Sequence, residues 1–154
     1  MLSQTAEYAL RATICLSYTK EGLVSTSELA EVTQVPMNYL AKVLQLLARA
    51  DIVTGRRGVG GGYRLTREPG EISMLDVINA IDPIKRIRSC PLKLSNHSGG
   101  LCPLHHKLDE SIGMLIDQFQ GISMADLMGE RGGTKPLCDT ERTARVELTL
   151  GGSN

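Results

Sequence analysis

Residues 36–65 read PMNYLAKVLQLLARADIVTGRRGVGGGYRL. Leu40, Val43, Leu44 and Leu47 fall at i, i+3, i+4 and i+7, which places them on one face of a helix. Pro36 suits the first helical position, because its missing N–H would have no partner there in any case. Asn38, Tyr39, Lys42 and Gln45 are left on the outward side. Residues 52–56 and 62–66 are strand-like and are joined by Arg57-Gly58-Val59-Gly60-Gly61. Such a glycine run lets one backbone approach another closely. The order is therefore helix, strand, basic glycine-rich hairpin, strand.

Upstream, residues 25–28 read STSE, the pattern of a capping box. The Ser25 hydroxyl can accept a first-turn amide while Glu28 reaches back to the cap. This opens a short helix over 26–33, with Gln34-Val35 as the turn. Two helices joined by a tight turn, the second with a polar outer face, form the helix-turn-helix pattern. With the hairpin behind them, the stretch reads as a winged helix-turn-helix.

Residues 4–19 carry Tyr8, Leu10, Ala12, Ile14, Leu16 and Tyr18 with few breakers and form a first helix. Ser73 and Asp76 cap another that runs through 81, with Leu75, Ile78 and Ile81 inward. Residues 82–101 show no clear period. A longer helix over 103–120 bears Leu108, Ile112, Leu115, Ile116 and Phe119, more apolar surface than a small domain buries alone. It reads as a dimer-forming helix. A further turn or two covers 123–128, and 145–150 alternates weakly, as a strand would if docked. The expected architecture is mainly α with a small β-wing. A winged helix-turn-helix domain covers 1–82 and a ligand loop 83–102. A dimerisation helix with a short following helix covers 103–129, and a flexible tail 130–154.

The chain has 154 residues, 42% of them apolar, with one Phe, four Tyr and no Trp. Its core must come from Leu, Ile, Val, Ala and Met. Formal net charge is zero, so a nucleic-acid partner requires local asymmetry. Residues 36–67 supply it: Lys42, Arg49, Arg56, Arg57, Arg64 and Arg67 stand against Asp51 alone. The chain opens directly on an apolar-periodic segment without the succession of a signal peptide, and no window is apolar enough for a membrane span. A cytoplasmic location follows as the expectation. Cys15, Cys90, Cys102 and Cys138 are then thiols, metal ligands or redox sensors rather than structural disulfides. No nucleophile–base pair is evident, and Gly58–Gly62 lacks the Lys-Ser/Thr of a phosphate loop, so enzymatic activity is not expected.

Two sets of candidate residues emerge. The first would meet DNA: Ser25, Thr26, Asn38, Tyr39, Lys42 and Gln45 from the helix pair, and Arg56, Arg57, Gly58 and Tyr63 from the wing. The bland alternative is a solvated helix face beside a glycine hairpin, and the capped helix pair with adjacent arginines counts against it. The second set is Cys90, then Cys102-Pro103-Leu104-His105-His106, with His97 between. Thiolates and imidazoles suit zinc or iron–sulfur clusters. The i, i+3 spacing of Cys102 and His105 aims both from one side of a helix start. The spacing lacks paired CxxC knuckles, so two ordinary thiols beside a solvated helix start are the better account of the spacing by itself. Cys15 lies on an apolar face and reads as a core residue. Cys138 falls in the tail.

The start MLSQTAEYALRATICL, the helix PMNYLAKVLQLLARADIV, the wing GRRGVGGGYRLTR, the segment ISMLDVINAID and SMADLM together resemble the Rrf-two family of bacterial transcription regulators, of the IscR/NsrR type. The resemblance spans roughly residues 1–129. It implies a winged-helix domain, a homodimer joined by the long helix, and palindromic operators in double-stranded DNA. In the family's cluster-binding members three evenly spaced cysteines precede that helix. Cys90 and Cys102 match the outer two, whereas Asn96 stands at the middle position with His97 beside it. His105 matches the histidine after the last cysteine, and Glu7 lies where some redox-sensing members place a carboxylate ligand. The resemblance thus implies Cys90, Cys102, His105 and Glu7 as the candidate ligands of a 2Fe–2S cluster, with His97 and His106 as alternative histidines. Zinc or no metal at all are the alternatives. The expected function is a repressor whose operator affinity follows the state of this site. The alternative is a zinc-stabilised or ligand-free regulator or protein-interaction module.

Overall fold

The structure, a computed structural model, describes residues 2–91, 100–129 and 136. Helices α1 (Gln4–Ser17), α2 (Thr26–Thr33) and α3 (Met37–Arg49) come first. Strands β1 (Val53–Arg56) and β2 (Gly62–Leu65) follow, then a single 3₁₀ turn at Pro69–Glu71. Helices α4 (Met74–Ile81), α5 (Pro103–Gln120) and α6 (Met124–Leu127) complete the order. Asn96, His97, Cys138 and the strand expected at 145–150 lie outside the described residues, as does the expected tail apart from residue 136.

Local chemistry sets the helix starts. Ser25 accepts from the Glu28 amide at 3.2 Å, and a Glu28 carboxylate oxygen accepts from the Ser25 amide at 2.8 Å. Ser73 with Asp76, and Ser123 with Asp126, repeat this reciprocal pairing. The turn between α2 and α3 is made by Gln34, which takes a left-handed conformation with φ 55. One expectation needs correcting. Pro36 is the residue before α3 rather than its first, because its ψ of 134 is extended. Its carbonyl still receives the amides of Tyr39 and Leu40 at 2.9 and 3.0 Å, so it seeds the first turn from outside.

The core is aliphatic. Leu40, Val43, Leu44 and Leu47 of α3 are fully buried and pack with Ala9, Ala12 and Leu16 of α1, Leu29 of α2 and Val77 of α4. Cys15 is buried among them, and burial, aided by the nearby Glu28 charge, pushes its thiol up to about 12. A neutral, inert core thiol is the result. Leu75 and Ile78 are buried as expected, whereas Ile81, at the end of α4, is only half-covered.

The two strands pair antiparallel, Val53 opposite Leu65 and Arg56 opposite Gly62. Val24 and Tyr63 exchange backbone hydrogen bonds at 2.9 and 2.8 Å, which ties the wing to the start of α2. Helix α5 buries none of its residues fully, and Leu108 and Leu115 are 47% and 40% exposed. It is nevertheless fixed at both ends. Near its start, Asp109 receives both Arg86 Nε and Nη2, at 2.7 and 2.6 Å, and the Ile87 amide at 2.8 Å. The Arg86 guanidinium lies against Gly113, where a Cβ would stand 3.1 Å from Nη1. Beyond its end, Met74 donates to Ile122 and Met124 to Ile72, at 2.7 and 2.8 Å, and Met124 is fully buried.

The Asp109 clamp has a pH signature. The Arg86 hydrogen bond, with smaller help from the Ile87 amide and the Arg86 and His106 charges, holds the Asp109 carboxyl at about 2 against an ordinary 3.8. A carboxyl lowered in the folded state adds stability above its unfolded pKa and loses it as pH falls toward the folded one. The stability difference between the parent and Asp109→Ala is therefore expected to hold steady above 3.8 and to close as pH falls toward about 2. Urea titrations across that range would measure it, and a gap that widens on acidification would contradict the clamp.

Candidate nucleic-acid interface and sensor residues

Asn38, Tyr39, Lys42 and Gln45 are all exposed on α3, opposite the buried leucine stripe. The two sides of this helix are divided as an amphipathic period requires. Lys42, Arg49, Arg56, Arg57, Arg64 and Arg67 are likewise exposed, and among the described residues none of the six joins an ion pair. Arg56 instead donates to the Gly60 carbonyl at 3.3 Å and braces the wing from within. Arg57 stands beside it at the turn, next to Gly58, whose φ of +94 a side chain would strain. Val59 at the tip is fully exposed. Helix face and wing thus offer unpaired cations and hydrogen-bonding side chains to a polyanion.

The remaining candidates have partly structural duties. The Ser25 hydroxyl is engaged with Glu28 and Ser27 in the cap, and Ser25 and Thr26 are half-buried. Tyr63 is half-buried; its ring lies over Gly55 of β1 and packs against the core.

A further group of side chains lies beside α3. Arg11 pairs with Glu7 at 2.7 Å, donates to the Thr33 carbonyl at 3.2 Å and stands 5.7 Å from the centre of the Tyr8 ring. Tyr8 meets Tyr39 edge to face, with centroids 6.4 Å apart. The i, i+4 spacing of Glu7 and Arg11 was a usable local signal. Nothing local marks the Tyr8–Tyr39 contact.

Of the candidate ligands, the structure brings together Cys102 and His105. The Cys102 sulfur is 3.3 Å from His105 Nδ1, at the start of α5. Cys90 is buried. Glu7 is engaged by Arg11. Among the described residues no three His, Cys, Asp or Glu side chains converge on a point that could hold a metal ion. Among the described residues the full set of Cys90, Cys102, His105 and Glu7 is therefore not assembled within one chain.

A family model for Rrf2, described as an iron-dependent transcriptional regulator, matches residues 2–130. The chain belongs to the Rrf2 family. A protein of Aquifex aeolicus assigned as an HTH-type transcriptional regulator is 32% identical over 131 residues, 83% of this chain and 91% of the relative. Among solved structures, IscR of T. potens aligns with a TM-score of 0.67 at 24% identity, over 82% of this chain and 84% of that one. CymR of B. subtilis, the global cysteine regulator, aligns with a TM-score of 0.67 at 22% identity, covering 82% and 95%. At these identities the two structures establish the shared winged-helix fold. The family's members are transcriptional regulators, not enzymes. No helix of the described residues is long and apolar enough to cross a membrane.

Proposed function

We propose that this Rrf2 protein is a cytoplasmic, homodimeric DNA-binding repressor. The observation that carries the reading is the exposed row Asn38–Tyr39–Lys42–Gln45 on α3 beside unpaired wing arginines. Helix α3 enters the major groove and the wing reaches the adjacent minor groove or its phosphates. The apolar side chains left uncovered on α5, Leu104, Leu108, Met114 and Leu115 among them, pair with a second copy. Two-fold symmetry then matches a palindromic operator, with half-sites about one helical turn apart or a multiple of it.

The test is binding to a duplex selected by the parent protein from a random-sequence library. Affinity should fall steeply with salt. Arg57→Ala should weaken it by about 1–3 kcal/mol if the side chain reads the groove, or lower the salt slope by about one if it meets only phosphate. Salt-independent binding would favour a protein-interaction module instead, and a stable monomer in sedimentation at micromolar concentration would remove the dimer.

The Cys102–His105 contact favours a second, narrower reading: operator affinity responds to the redox or metal state of this pair together with Cys90. The family's iron-dependent description supports it, as does a structural neighbour, CymR of Staphylococcus aureus, solved in an oxidised form. A 2Fe–2S cluster or zinc would need ligands beyond the pair. Cys90→Ala and Cys102→Ala should each alter the response of DNA binding to oxidant or chelator, whereas Cys15→Ala should not. Protein prepared without oxygen that is colourless, metal-free and indifferent to both substitutions would leave only the DNA-binding reading.

A further inference from the structure

We infer that Tyr8, on α1, is a positioning residue for DNA recognition by Tyr39. The inference rests on the DNA-binding reading above and adds to it a residue that touches no DNA.

Tyr39 is 56% exposed and projects from the first turn of α3. An exposed aromatic ring on a recognition helix has several rotamers, and ordering one of them on binding costs free energy. Here the Tyr8 ring meets Tyr39 at an interplanar angle of 62°, a contact that favours one of them. Edge-to-face geometry at this distance is favourable beyond simple area burial. Tyr8 is itself held from two sides. Gln4 Nε2 donates to its hydroxyl at 2.8 Å, and Arg11 stands over its ring. Arg11 is in turn held by Glu7, and it also grips the Thr33 carbonyl, immediately before the left-handed Gln34 that aims α3. One side of α1 therefore sets both the turn before the recognition helix and the ring on that helix. Tyr8 is half-buried against the core, so part of its surface has an ordinary packing role. The contact with Tyr39 lies outside that role.

A double-mutant cycle on binding to the selected duplex separates the two. Tyr8→Leu keeps apolar bulk against the core and removes the aromatic ring, and Tyr8→Phe keeps the ring and removes the hydroxyl. Tyr8→Leu is expected to weaken specific binding by ~2–10-fold, with non-specific affinity and salt slope unchanged. Tyr8→Phe should stay close to the parent. Tyr39→Ala should weaken binding by more, and adding Tyr8→Leu to it should bring no further loss. Melting curves check that each variant folds. Additive losses, or a Tyr8→Leu protein with parental affinity, would overturn the inference. So would a Tyr39→Ala protein with parental affinity while Lys42→Ala binds weakly, a result that leaves the DNA-binding reading intact. If neither Tyr39→Ala nor Lys42→Ala affects binding, that reading falls as well.

Discussion

Gly61→Ala is expected to lower operator affinity by ~10–100-fold while the helical core stays folded. The size corresponds to losing about one wing contact of roughly 1–3 kcal/mol. At this position a Cβ would collide with the carbonyl oxygen of Arg56 and would stand 2.8 Å from the Gly58 oxygen and 3.0 Å from the Arg57 carbonyl carbon. All three neighbours are backbone, so no side chain can swing aside. The turn must open, the Gly61–Gly58 hydrogen bond at 3.0 Å is lost, and Arg56 and Arg57 move with it. Duplex binding and a thermal melt, measured side by side, check this. Val59→Ala is the control, since the tip side chain meets nothing within the protein and its loss leaves the turn intact. Parental affinity in Gly61→Ala would show that the wing takes no part in binding.

Leu44→Ala is expected to cost about 2–5 kcal/mol of stability. Leu44 is fully buried in the centre of the α3 stripe, where helices α1, α2 and α4 leave little room for the surroundings to collapse into a cavity. The melting point should fall by about 2–4 °C for each kcal/mol lost. Specific DNA affinity at low temperature should change far less, because Leu44 faces away from Asn38, Tyr39, Lys42 and Gln45. A cost below about 0.5 kcal/mol would mean that α3 is not packed as described, since that is the range of surface positions.

How much of this was legible depends on how far each signal lies from its partner. The α3 stripe, the capping boxes at Ser25 and Ser73, and the short basic hairpin are written within a few residues, and the structure holds them all where the pattern placed them. Pro36 missed by one place, because a proline just before a helix and one just inside it look alike in sequence. The Arg86–Asp109 clamp joins residues 23 apart and has no periodic trace. Nor has the Tyr8–Tyr39 contact, which depends on how α1 crosses α3. The candidate ligands divide in the same way. Cys102 and His105 share one helical turn and meet, whereas Cys90 and Glu7 would have to be delivered by the tertiary fold.

The double anchoring of α5 bears on what this chain can tolerate. Arg86–Asp109 fixes the helix near its beginning, and the exchange of amides between Ile72–Met74 and Ile122–Met124 fixes the chain beyond its end. The stretch between Arg86 and Cys102 therefore closes a gap whose two sides are set by other contacts. For such a closure the entropic cost grows only with the logarithm of length, about 0.6 kcal/mol per doubling. Insertions or deletions between Arg86 and Cys102 should therefore leave the axis of α5 nearly unchanged. One scaffold can in this way carry connecting segments of different length and composition without redesign of the exposed α3 face.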